Sequence, residues 1–124
     1  MNLLLDTHIF LWWADDRARI VESLQRTIGK AECVHVSVAS AWEIAIKTAL
    51  GKLAVRGDVE ASILASGFEP LSITFEHTRR VATLPPKHGD PFDRMLVAQA
   101  LVEGLTLVTT DRRLSDYAVP IIRA

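Results

Sequence analysis

The sequence predicts an α/β fold of three layers, in which a central, mostly parallel sheet of about five strands is covered by helices on both faces. Three observations carry that expectation. Short apolar, β-branched runs alternate with longer stretches of helical periodicity, the helical stretches are bounded by capping residues and glycines, and no repeat or low-complexity tract interrupts the pattern. Parallel strands need crossover connections, and the alternation supplies them.

Taken in order, Asn2 to Leu5 reads as a short buried strand, and Asp6-Thr7 turns the chain into an apolar helix containing Ile9, Phe10, Trp12 and Trp13. A second helical pattern, Ile20, Leu24 and Ile28, is expected to end near Gly29, and Val34 to Val38 has strand composition. A helix is expected over Ala39 to Leu50, closed by Gly51, and a short one between Gly57 and Gly67. Phe68 to Ile73 suggests a strand, Glu76 to Leu84 a helix, and Pro85 to Gly89 a loop. Asp90-Pro91 has the N-cap and first-position pairing of a helix start, and the apolar run continues through Val102 to Gly104. Leu105 to Thr109 is strand-like, followed by a short helix after Asp111 and a last strand around Val119 to Ile122.

One domain spanning residues 1–124 is expected, since 49% hydrophobic content supplies a single continuous core. The formal net charge is only -1, with 14 basic residues against 15 acidic, which excludes the uniformly basic surface of a general nucleic-acid binder. The lone cysteine, Cys33, cannot form an internal disulfide and reads as a buried small hydrophobe. No apolar run approaches the roughly 20 residues needed to span a bilayer. Together these features point to a protein of the reducing cytoplasm.

In a parallel sheet, ligands gather beyond the carboxyl ends of the strands. Asp6 follows the first strand and Asp111 follows the strand ending at Thr109, so both carboxylates are expected at one sheet edge. Each also has a plain structural explanation as a helix cap. Asp93, three residues after Asp90, fits the third position of a capping box, yet it shares a helical stripe with Leu96, Val97 and Ala100. Glu43 likewise fits a box begun by Ser40, or an ion pair with Lys47, while bordering Ile46 and Leu50. A carboxylate on an inward stripe needs a reason.

Carboxylates converging to about 4 Å repel by about 4 kcal/mol per pair at an effective dielectric of about 20. A hard divalent cation relieves this, and because His8, His35, His77 and His88 show no zinc-like spacing, oxygen-only ligation points to Mg2+ or Mn2+. Such an ion suits phosphodiester hydrolysis.

Three segments, LLLDTHIFLWW, VSVASAWEIAIKTALGKL and DPFDRMLVAQALVEGLTLVTTDRRL, resemble in order and register the PIN-domain nucleases, in particular the VapC-type toxins of toxin-antitoxin pairs. The resemblance covers nearly the whole chain. It implies a PIN-like fold, a Mg2+ or Mn2+ site made by Asp6, Glu43, Asp93 and Asp111, endonucleolytic cleavage of RNA, a cognate antitoxin that blocks the site, and a homodimer. Thr7 and Thr109 then match hydroxyl residues that orient the acids, and Asp90 becomes a cap or an outer group of the site. RNA contacts are expected among Lys47, Lys52, Lys87, His88, Arg94, Arg112 and Arg113, which lie close to the acids in sequence. Trp12, Trp13 and Trp42 are expected to serve packing or a protein interface rather than base stacking.

Three other readings compete, one of them a catalytically silent domain of the same family kept for protein binding, against which the presence of all four acids argues. A receiver-type phospho-acceptor module is also a five-stranded α/β domain, but it pairs adjacent acids after its first strand and uses a late lysine. Here Thr7 follows Asp6, and no lysine occurs after His88. A haloacid dehalogenase-type phosphatase carries a second aspartate two residues after the first, where this chain has His8.

Overall fold

A computed structural model describes residues Met1 to Ala124. Strand β1 (Asn2–Leu5) leads into α1 (Thr7–Asp15), a short 3-10 turn, and α2 (Glu22–Lys30). Strand β2 (Cys33–Ser37) is followed by α3 (Val38–Ala49) and α4 (Val59–Ala65), and β3 (Glu69–Leu71) by α5 (Phe75–Thr83) and α6 (Pro91–Glu103). Strand β4 (Thr106–Thr109), a 3-10 turn (Arg112–Asp116) and β5 (Ile121–Arg123) complete the chain.

The five strands lie in the order β3-β2-β1-β4-β5, and every neighbouring pair is parallel. The chain begins in the middle of the sheet, builds outward through β2 and β3, then returns to place β4 and β5 on the other side of β1. Between β1 and β4 the direction of winding reverses, so the connections leave in opposite directions and open a crevice at the strands' carboxyl ends.

Alternation along the strands divides the apolar side chains between two cores. Leu3, Leu5, Val34, Val36 and Val108 face Ile9, Phe10, Leu24, Ile28 and Ile44. Leu4 and Leu107 face Leu96, Val97, Ala100 and Leu114 on the other side. Leu3, Leu4 and Leu5 are each fully buried, and removing such a side chain from water contributes about 1.5–3 kcal/mol. Helix α6 packs against both α5 and α3, which explains why five consecutive residues, Leu96 to Ala100, are all buried.

Local chemistry sets the element ends. Asp90 caps α6, accepting from Phe92 N at 2.8 Å and Asp93 N at 3.1 Å, with Pro91 at the first position and Gly104 at φ 69° closing the helix. Some expected boundaries move. Ser37 accepts from Ala39 N and caps α3, so Val38 belongs to the helix rather than the strand, and Ser40 lies inside it. Gly29 does not stop α2, which continues to Lys30. The strand expected over 68–73 is confined to Glu69–Leu71, and the last strand is Ile121–Arg123, with Pro120 O accepting from Leu107 N just before it.

Candidate metal centre

All four acids line one polar cleft of about 280 Å3 at the carboxyl ends of β1 and β4, and no apolar side chain borders it. Asp6 arrives from the end of β1, Glu43 from the middle of α3, Asp93 from the first turn of α6, and Asp111 from the residue preceding the last 3-10 turn. Asp90, Lys47 and Arg113 also line the cleft.

Asp6 is buried and firmly held. Its Oδ1 accepts from Ile9 N at 2.9 Å, and its Oδ2 accepts from the Thr109 hydroxyl at 2.6 Å and Thr110 N at 3.3 Å. Burial nevertheless pushes its carboxyl above the usual range, outweighing those hydrogen bonds. Thr7 performs a parallel task for Glu43. Its hydroxyl donates to Glu43 Oε1 at 2.6 Å and lies 2.9 Å from Ser40 Oγ, while Lys47 Nζ bonds Glu43 Oε2 at 2.6 Å. The capping-box reading of Ser40 and Glu43 therefore fails, because Ser37 holds the cap and Ser40 serves Thr7.

Asp93 is not spent on capping either. A capping box would have its carboxylate accept from Asp90 N, but that N–H donates to His88 Nδ1 at 3.2 Å. No hydrogen-bond donor reaches the Asp93 oxygens, and the nearest charged-capable atom is His88 Nε2 at 3.8 Å. Desolvation first, and the neighbouring Asp90 second, raise its pKa to about 7.

Asp111 sits in the opposite environment. Arg113 places Nε 3.1 Å from its Oδ1 and Nη2 2.8 Å from its Oδ2, a forked pair that holds its carboxyl well below the usual carboxylate range. Asp111 N accepts support from the same threonine that holds Asp6, donating to Thr109 Oγ1 at 3.0 Å. One hydroxyl thus ties the two strand-end acids together.

His88, taken from the sequence as an RNA contact, is instead buried among the acids. Its Nε2 lies 3.3 Å from Asp111 Oδ2, and the ligating atoms of His88, Asp93 and Asp111 fall within 4.8 Å of one another. Since Nδ1 accepts from Asp90 N, the ring proton resides on Nε2 and points to Asp111, which makes His88 an orienting donor rather than a metal ligand. The sequence offered one signal, the position of His88 in the loop directly before the Asp90 cap.

Arg94 is also corrected. Its guanidinium donates to the carbonyls of Pro85 at 2.9 Å and Val81 at 3.2 Å and to Tyr117 Oη at 3.1 Å, so it ties the loop after α5 to the rest of the fold. Lys47 and Arg113 are engaged by Glu43 and Asp111. Lys52, Lys87 and Arg112 remain exposed. Of the tryptophans, Trp12 and Trp13 pack against the core, with Arg19 and Arg17 stacked over their rings, whereas Trp42 is 59% exposed and meets Phe92 edge-on.

The charges divide in a telling way. Glu43 and Asp111 each have a lysine or arginine in contact, while Asp6 and Asp93, whose carboxyls burial pushes upward, have neither. The donor set is oxygen-only once His88 is assigned to Asp111, which is the chemistry that a hard divalent cation takes.

The chain is 30% identical over 122 residues to Ribonuclease VapC22 of Mycobacterium tuberculosis, a match spanning 96% of this chain and 94% of that protein. Its fold resembles VapBC2 of Rickettsia felis bound to a promoter DNA fragment, with a TM-score of 0.76 at 15% identity, covering 99% of this chain and 98% of that one. It also resembles VapBC-5 of Mycobacterium tuberculosis, described as a member of the VapBC family of toxin-antitoxin systems, with a TM-score of 0.62 at 22% identity and coverage of 99% and 98%. With the PIN domain model matching residues 3–120, the chain belongs to the PIN domain family.

Proposed function

We propose that the chain is a metal-dependent endoribonuclease that hydrolyses RNA phosphodiester bonds and acts as the toxin of a toxin-antitoxin pair. The observation that carries this reading is the convergence of four acids in one cleft, two of them without a lysine or arginine partner. The relative named a ribonuclease, alike over nearly its full length, supports the choice of RNA as substrate.

Asp6 and Asp93 would hold Mg2+ or Mn2+, with Asp111 and Glu43 completing the acidic wall. When bound, such an ion supplies Lewis-acid stabilisation of the phosphate and lowers the pKa of water. Thr109 fixes Asp6 so that its free lone pairs face the cleft, and His88 fixes Asp111. Asp90 spends its carboxylate on the helix cap and contributes negative field from outside. Lys87 and Arg112, exposed and near the cleft in sequence, are the side chains free to meet the RNA backbone.

Neither the receiver nor the phosphatase reading gains support. Thr7 is buried and committed to Glu43, and His8 is exposed, so neither of the two positions that follow Asp6 supplies the neighbouring acid that a receiver or a dehalogenase-type phosphatase carries there.

The surface and the structural neighbours support a reading of the partners. Val38, Trp42 and Ile46 on α3 and Leu50 at its C-cap recur every fourth residue, and are 43%, 59%, 37% and 63% exposed. We read this stripe as the face of a homodimer, with a cognate antitoxin covering the cleft. No helix is long and apolar enough to cross a membrane, and we place the activity in the cytoplasm, where RNA is available.

The test is cleavage of total RNA by the purified chain with Mg2+ or Mn2+, with the new ends mapped. Activity should vanish in EDTA and fall by more than about 100-fold in Asp6→Asn and Asp93→Asn. Cleavage that survives chelation and both substitutions would refute the proposal.

A further inference from the structure

We infer that Cys33, His35 and Glu69 form a second cation site, separate from the acid cleft, for a borderline divalent ion of the Zn2+ class. The strand pairing builds it. Cys33 and His35 occupy alternate positions on β2 and so share a face, while Val34 and Val36 turn into the core on the other. On the neighbouring edge strand β3, Glu69 stands in register with His35. Both strands begin here, so the cluster lies toward their amino ends, whereas Asp6 and Asp111 leave from carboxyl ends. The sequence reading, which treated Cys33 as a buried hydrophobe and found no zinc-like spacing, lacked this cross-strand register. Cys33 is in fact only partly buried.

Distances fit the ion. Cys33 Sγ lies 3.6 Å from His35 Nε2 and 3.8 Å from Nδ1, beside the ring edge, so that a turn of the imidazole aims Nε2 at the ion, and His35 Nε2 lies 3.8 Å from Glu69 Oε2. With Zn–S of about 2.3 Å and Zn–N of about 2.0 Å, a tetrahedral ion separates sulfur from nitrogen by about 3.5 Å. The corresponding nitrogen-to-oxygen separation is about 3.4 Å, a closure that the exposed Glu69 side chain makes by rotation. All three ligating atoms fall within 4.8 Å of one another.

A backbone carbonyl outside the cluster stands ready for the second ring nitrogen. His35 Nδ1 is 3.4 Å from the carbonyl oxygen of Leu3, on the adjacent strand β1. With the ring turned so that Nε2 meets sulfur and carboxylate, a proton on Nδ1 directed to that carbonyl is the support that metal-bound histidines ordinarily have. A mixed sulfur, nitrogen and oxygen set selects against Mg2+, so the two ends of the sheet would discriminate between ions of different hardness. Three protein ligands leave the fourth position to water. Occupancy would also fasten the short edge strand β3 to β2.

Cobalt is the probe of choice, because thiolate ligation gives a near-ultraviolet charge-transfer band and Cys33 is the only cysteine in the chain. Titrating the metal-free protein with Co2+ in a non-thiol reductant should produce that band with one equivalent and lose it when Zn2+ is added. Cys33→Ser should abolish the band, and His35→Ala or Glu69→Ala should weaken Co2+ binding by at least about 10-fold. Asp6→Asn and Asp93→Asn should leave it intact, so that failure of the acid-cleft reading and failure of this one are told apart. Absence of the band in the unaltered protein overturns the inference. So does an affinity unchanged by both His35→Ala and Glu69→Ala, which would mean that the thiol binds cobalt alone.

Discussion

Replacing Asp93 by asparagine should make the metal-free protein more stable at pH 8, although it removes a residue assigned to the working site. Asp93 has its pKa raised from 3.8 to about 7 by desolvation and by Asp90. The folded chain therefore keeps this proton across a window in which the unfolded chain has released it, and stability falls as pH rises through that window. At about 1.4 kcal/mol for each factor of ten in proton affinity, the displacement corresponds to at most about 4 kcal/mol. The side chain is 22% exposed, and asparagine forfeits a favourable charge in the first turn of α6, so a gain of about 1–3 kcal/mol is expected. Asp6 is raised as well and adds a contribution of the same sign, whereas Asp111 is lowered and acts only at more acidic pH. The assay is urea unfolding in EDTA at pH 4, 6 and 8 for the unaltered protein and Asp93→Asn. The unaltered protein should lose stability over this range, the variant should lose less, and the two should converge at pH 4. A variant less stable than its parent at pH 8, or a parent whose stability is flat between pH 5 and 8, would refute the reasoning.

Other consequences follow from the same geometry. Mn2+ affinity, measured by calorimetry, should rise from pH 5.5 to pH 8 with net proton release at the lower pH, since the ion must displace the proton that Asp93 holds up to about pH 7. Thr109→Val should destabilise the fold by about 1–3 kcal/mol in chemical unfolding, because it leaves Asp6 Oδ2 and Asp111 N without their shared partner, and should lower RNA cleavage by about 10–100-fold. Arg94→Ala should cost about 1.5–3 kcal/mol in unfolding, with Arg94→Lys failing to restore it, because the forked guanidinium reaches several carbonyls at once. Trp42→Glu should shift sedimentation toward the monomer without changing the cleavage chemistry.

The fold was legible because its signals are local. Asp90-Pro91 and Gly104 mark α6 by backbone chemistry alone, and the Leu3-Leu4-Leu5 run announces a strand buried on both faces. The acids at strand ends were legible for the same reason, since Asp6 and Asp111 follow apolar runs directly. What escaped depends on register and on where side chains turn. Nothing in the Pro85 to Gly89 segment says that His88 folds inward onto Asp111, or that Arg94 turns back to the carbonyls before it. Strand order was equally hidden, so the placement of His35 opposite Glu69 could not be read from residues 34 apart in sequence.

Anomalous diffraction from crystals soaked in Mn2+ interrogates the acid cleft at the atomic level. The expected result is a strong peak in contact with Asp6 and Asp93, lost in Asp93→Asn crystals soaked alike. A cleft that shows no peak at saturating Mn2+, or a peak that touches neither carboxylate, would contradict the account.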